Sequence, residues 1–69
     1  MEHKLTKTQL ATSRAVGLFG TQMALAQAIG VTQSTISRWL SGDSVPTCEP
    51  LLKLEMKSDR KIRVQDFFE

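Results

Sequence analysis

Apolar residues recur at three- and four-residue spacing in four stretches of the chain, and a glycine closes each of the first three. The first stretch predicts a helix from about Thr8 to Phe19, stopped at Gly20. Ala11, Ala15, Leu18 and Phe19 are expected to face the core there, with Leu10 or Val16 at its edge. Gly17 weakens such a helix by about 1 kcal/mol, for which close packing against a neighbour would be one reason. The second stretch offers Leu25, Ala26 and Ile29 as a stripe, with Thr21 as N-cap and Gly30 at the left-handed closing position. A third helix follows over 32–41, capped by Thr32 and stopped by Gly42.

Beyond it, Asp43-Ser44-Val45-Pro46 reads as a loop. Thr47 can cap a fourth helix from Cys48 to Lys57, with Pro50 tolerated in the first turn. Leu51 and Leu54 form one apolar row and Leu52 and Met56 an adjacent one. The pair reads first as a broad core-facing stripe, and second as a core row beside a dimer seam. Ser58-Asp59-Arg60-Lys61 predicts a turn, Ile62-Arg63-Val64 alternates as a short extended piece would, and Gln65–Phe68 could form a last helical turn. Residues 1–7 are polar and without a recognised cap, and are expected to be disordered.

The third helix departs from an ordinary surface helix. At about 100° per residue, Gln33, Ser34, Ser37, Arg38 and Ser41 fall in one arc, and Thr35, Ile36, Trp39 and Leu40 in the opposite one. Solvated faces are usually filled with Lys and Glu, which favour helix and solubility. Here no Lys, Glu or Asp interrupts the polar arc, although each Ser costs about 0.5 kcal/mol relative to Ala. Something other than helix stability has set these positions. Two short helices joined through Gly30 also make the pattern of a helix-turn-helix.

Residues 20–42 resemble the helix-turn-helix of small phage and prophage regulators, the Cro/repressor group, including YdaS-like prophage proteins. The matching positions are Gln22, Ala26, Gly30, Val31, Thr32-Gln33-Ser34, Ile36 and Ser37-Arg38-Trp39-Leu40. The resemblance extends more weakly through Val45-Pro46 and Leu54-Glu55. It implies an all-α bundle of about five short helices, lambda repressor-like, forming one domain over 1–69 with the helix-turn-helix at 21–41. It further implies base reading by Gln33, Ser34, Ser37 and Arg38, and phosphate contact by Gln22 and Ser41. Thr21 and Thr32, at helix starts whose N–H groups suit a phosphate, join the expected phosphate contacts. Members of this group differ in the secondary structure of their C-terminal halves, so 58–69 could be helix or strand.

Charge sharpens this picture. The net charge is only +2, but between Glu2 and Asp43 there is no acidic residue, while Lys4, Lys7, Arg14 and Arg38 lie in that span. A surface that approaches polyphosphate avoids carboxylates, which would repel the backbone instead of releasing counterions. Arg14 itself reads first as a solvated surface group. Sixty-nine residues with 41% hydrophobic content suit one small globular domain. No apolar run reaches the ~18 residues of a membrane span. The N-terminus does not lead into a signal-peptide core, and a single Cys suits a reducing cytoplasm.

Other chemistry finds little support. His3 is the only histidine and stands far in sequence from Cys48, so no tetrahedral zinc set is available and no cofactor is expected. Cys48 reads as a small filler at a helix start. Glu49 and Glu55, six apart, share a helix face poorly. An enzyme is not expected. The expected partner is double-stranded DNA carrying a palindromic operator, bound by a weak homodimer, because one helix reads too few base pairs to be specific. Trp39 is expected to anchor the core instead of stacking on DNA.

Two other functions compete with a Cro-type repressor. An antitoxin would bind DNA and a toxin, and the short run beyond the last apolar cluster argues against the long tail such proteins often carry. A protein-interaction module would present aromatic or Leu residues on the polar arc of the third helix, and none falls there.

Overall fold

The computed structural model describes residues 5–68. Four α-helices, α1 (Lys7–Phe19), α2 (Gln22–Ile29), α3 (Gln33–Ser41) and α4 (Cys48–Lys57), precede a 3-10 helix at Val64–Phe67. No strand occurs among the described residues. Leu25, Ile29, Ile36, Leu51 and Leu54 fill the centre of the core, closed by Trp39, Ile62 and Phe67. Helix α1 packs against α2, α3 and the 3-10 helix, and α4 against α2 and the 3-10 helix. The resulting all-helical body is the small helix-turn-helix bundle that the sequence pattern implies.

Helix α1 differs from expectation in its start and its phase. Of the stretch 1–7 expected to be disordered, residues 1–4 lie outside the described residues, but Thr6 is an ordered N-cap. The Gln9 amide donates to Thr6 Oγ1 at 3.1 Å, and the Thr6 amide donates to Gln9 Oε1 at 2.8 Å. This reciprocal capping box fixes the first turn. The buried stripe is Thr8, Ala11, Thr12 and Ala15, with Phe19 half-buried. Leu18, expected inside, is 44% exposed at the rim of this arc, and Leu10 faces solvent. Two threonines join the buried stripe, and Thr8 has a partner inside: its hydroxyl donates to the Phe67 carbonyl at 3.0 Å. Gly17 has open space around a would-be Cβ, so close packing does not account for it.

The C-terminal third is held by polar clips. The main chain turns sharply at Asp59 and Arg60, both left-handed at φ 57° and 65°. Buried Ser58 accepts from the Ile62 amide at 3.1 Å, and Glu55 Oε1 accepts from the Val64 amide at 3.1 Å. These bonds bring Ile62 and Phe67 under the helices as a floor. The alternation at 62–64 therefore does not make a strand: Val64 already begins the 3-10 helix and only Arg63 before it is extended. Thr47 stands at the N-cap of α4 without a side-chain capping bond. Cys48 is exposed and fills nothing. The broad-stripe reading of α4 also fails, since Leu51 and Leu54 are buried while Leu52 and Met56 are 52% and 80% exposed.

Candidate nucleic-acid interface

The unit formed by α2 and α3 is set by its caps. Thr21 Oγ1 accepts from the Ala24 amide at 3.0 Å and starts α2. Gly30, left-handed at φ 76°, ends it, and the Val31 amide turns back to the Ala26 carbonyl at 3.0 Å. A residue with a side chain at Gly30 would be strained, because the left-handed region disfavours a Cβ. Only Gly30, Val31 and Thr32 separate the two helices. Thr32 Oγ1 accepts from the Thr35 amide at 3.2 Å and meets the Thr35 hydroxyl at 2.9 Å. Leu25, Ala26 and Ile29 from α2 meet Ile36 and Trp39 from α3 in the core.

At its far end α3 stops on Gly42, left-handed at φ 87°, with the Asp43 amide donating to the Arg38 carbonyl at 3.0 Å. The Gln9 side-chain amide donates to the Leu40 carbonyl at 3.2 Å, which secures this end to α1. A short helix in isolation frays. This one is capped at both ends and pinned by an aromatic anchor, since Trp39 is only 3% exposed.

What α3 leaves outside is the polar arc. Gln33, Ser34, Ser37, Arg38 and Ser41 are all exposed, while Ile36 and Trp39 are buried and Thr35 and Leu40 half-buried. The two residues whose burial would have removed them from any interface, Gln33 and Arg38, both face solvent. A glutamine amide offers a donor and an acceptor side by side, a guanidinium offers a fork of donors, and the serines are short enough to allow close approach. No acidic residue stands between residues 5 and 42, and Lys7, Arg14 and Arg38 in that span are exposed. Lys4 lies outside the described residues.

The residues expected at phosphates are less uniform. Thr21 is exposed and Gln22 half-buried at the N-terminus of α2. Thr32 is exposed, but its hydroxyl is engaged by the cap of α3. Ser41 donates its hydroxyl to the Arg38 carbonyl at 3.1 Å and would have to rotate to reach an outside acceptor. Gln9 was not anticipated from the sequence, and its contact with α3 makes it the support of this face. Its signal was the Thr6-x-x-Gln9 spacing, which marks a capping box. Among the described residues no group of three or more His, Cys, Asp or Glu could hold a metal ion. No helix there is long and apolar enough to cross a membrane.

A family model described as the DNA-binding transcriptional regulator Cro matches residues 11–67. The chain belongs to this family. The match spans α2, α3 and the turn between them, and continues to the end of the 3-10 helix. No curated protein and no solved structure matches the chain. Membership makes the chain a Cro-type DNA-binding regulator of the kind found in phages.

Proposed function

We propose that this Cro-family chain is a repressor that inserts α3 into the major groove of an operator, two copies sharing a palindromic site. The observation that carries the reading is the uninterrupted exposed arc of Gln33, Ser34, Ser37 and Arg38 on a helix fixed at both ends. The B-DNA major groove admits one α-helix, and each base pair displays its own donor and acceptor pattern there. Gln33, in the first turn of α3, can pair its amide with adenine N6 and N7. Arg38 can reach guanine O6 and N7. Ser34 and Ser37 let the helix approach and bond whichever base is present. Gln22 and Thr21, at the positive end of α2, hold a backbone phosphate. Ser41, at the far end of the arc, and Thr32, before its start, are further phosphate contacts, Thr32 through the helix start that it caps.

Repression then follows by occupancy, the bound protein excluding polymerase from the operator. The reading requires no cofactor and no chemical step, and it places the protein with the DNA of the bacterial host. One helix reads only a few base pairs. A dimer, weak in free solution and completed on half-sites about one helical turn apart, supplies the remaining specificity.

The test is selection from random duplex DNA by the purified protein, repeated with Gln33→Ala and Arg38→Ala. Each change is expected to relax preference at one base position, at a cost of about 1–3 kcal/mol for the lost bidentate contact. Gln22→Ala should weaken all sequences alike. Uniform weakening by both α3 substitutions would show that they touch phosphate and not bases.

A further inference from the structure

The two ends of α3 are held in different ways. The N-terminal end is fixed locally, with Thr32 Oγ1 accepting from the Thr35 amide at 3.2 Å. At the C-terminal end the Arg38 carbonyl accepts from the Asp43 amide at 3.0 Å and the Trp39 carbonyl from the Gly42 amide at 3.4 Å. The Leu40 carbonyl is one of those that a helix end leaves without an intrahelical donor. Its donor comes from another helix: Gln9 Nε2 of α1, at 3.2 Å.

Gln9 is itself held in one orientation. Its Oε1 accepts from the Thr6 amide at 2.8 Å, and a backbone amide only donates, so the nitrogen is the atom turned to Leu40. Gly42 leaves room for it, since a Cβ there would stand 3.2 Å from Nε2. Helix α1 is in turn tied to the 3-10 helix through the Thr8 hydroxyl and the Phe67 carbonyl. The tie to α3 is thus mounted on a fixed support.

We infer that Gln9 is a positioning residue for DNA recognition, setting the tilt and rotation of the C-terminal half of α3 and, through them, the base preference exerted by Arg38. The inference rests on the proposed base reading by Gln33 and Arg38. Burial of Ile36 and Trp39 holds α3 on the body, but apolar burial has no direction of its own. A hydrogen bond does, and a recognition site has to be held within about 0.5 Å and 10–20° of its productive geometry. Arg38 stands two residues before Leu40, about 3 Å along the axis, and Gln33 seven residues before it, about 10 Å. Release of the tie displaces the guanidinium and leaves the Gln33 amide beside its own cap. Gln9 acts through Arg38, not by touching a base.

Selection from random duplex DNA tests this in the whole chain, with Gln9→Glu and Gln9→Met run beside Gln33→Ala and Arg38→Ala. Glutamate keeps an acceptor for the Thr6 amide, and so the capping box, but has no hydrogen to give to Leu40. Methionine matches the length and carries no charge. Both variants should lower discrimination by about threefold or more at the base position that Arg38→Ala relaxes, and leave intact the position that Gln33→Ala relaxes. A variant that is merely less stable has a smaller folded fraction, which weakens all sequences alike. Uniform weakening with preferences unchanged therefore overturns the inference. Relaxation at the Gln33 position, alone or to the same extent, overturns it as well, because the whole helix would then have moved. A change in Gln9→Glu that Gln9→Met does not share belongs to the new carboxylate and overturns it too. If Gln33→Ala and Arg38→Ala relax no position of their own, the base reading falls first and the positioning role with it, a failure read in different variants.

Discussion

The Gln9 side-chain amide donates to the Leu40 carbonyl at 3.2 Å while its carbonyl oxygen accepts from the Thr6 amide at 2.8 Å. One side chain thus starts α1 and anchors the last turn of α3. Gln9→Ala removes both bonds and leaves the Leu40 carbonyl to water or to nothing. The expected destabilisation is about 1–2 kcal/mol, read as a fall in the urea midpoint at unchanged slope. The unit of α2 and α3 should loosen at its C-terminal end, seen as faster amide exchange at Trp39–Gly42 than at α2.

Gly42 is the other half of that relationship. It is left-handed, and a Cβ placed there would stand 3.2 Å from Gln9 Nε2. Gly42→Ala should destabilise by about 1–2 kcal/mol, part from the backbone conformation and part from displacing the amide. A double-mutant cycle separates the two. In a Gln9→Ala background the steric part vanishes, so Gly42→Ala should cost measurably less there. Strict additivity would mean that the contact between the two residues carries no energy.

The helix-turn-helix was legible because its signals are local. Thr21, Gly30, Thr32 and Gly42 each act on the backbone within four residues, and the structure places all four at the caps expected of them. Leu25, Ile29, Ile36 and Trp39 likewise announced their burial by spacing. The misreadings arose where a tertiary partner decides the outcome. Thr8 is inside with the Phe67 carbonyl, far along the chain, accepting its hydroxyl, and Leu18 stands at the rim of the stripe. The floor at 62–67 depends on Glu55 and Ser58 reaching forward to main-chain amides, which no hydrophobic period records. On the polar arc of α3, the exposure of Gln33 and Arg38 followed from helical phase alone, but the engagement of the Thr32 and Ser41 hydroxyls did not.

Thr12 offers a direct measure of polar burial. Its side chain is fully buried, and its hydroxyl has no hydrogen-bond partner among the described residues. Burying an unpaired hydroxyl costs about 1–3 kcal/mol on mutational scales. Thr12→Val keeps the branched shape and removes the hydroxyl, and the two residues have similar helix propensity. The substitution should raise stability by about 1 kcal/mol, visible as a higher urea midpoint. A loss of stability would reveal a buried water bonded to Thr12.

Arg60 carries strain without the residue that relieves it. Its φ of 65° follows another positive φ at Asp59, and its amide is bonded to the Glu55 carbonyl at 2.8 Å. A non-glycine residue in this region is disfavoured by roughly 1–2 kcal/mol, offset in Gly only by the greater freedom of its unfolded state. Arg60 is exposed, so little packing is lost on truncation. Arg60→Gly should therefore stabilise by up to about 1 kcal/mol, with the gain confined to slower unfolding of the 58–67 segment in amide exchange. A decrease in stability would mean that the guanidinium holds the turn by a contact worth more than the strain.

Ser37 separates the demands of fold and of function. It lies mid-helix on α3, exposed, in the centre of the arc proposed to face base edges. Glutamate is a better helix former than serine, and exposed substitutions away from caps change stability by no more than about 0.5 kcal/mol. Ser37→Glu should thus leave the melting curve unchanged or slightly raised. In the groove the same carboxylate would face polyphosphate at close range and release no counterions. Affinity for selected DNA should fall at least about tenfold, and the loss should shrink as salt screens the repulsion. The two readouts are expected to move in opposite directions, which a merely structural serine could not produce. Binding that survives intact would require the groove to be met by another face of the bundle.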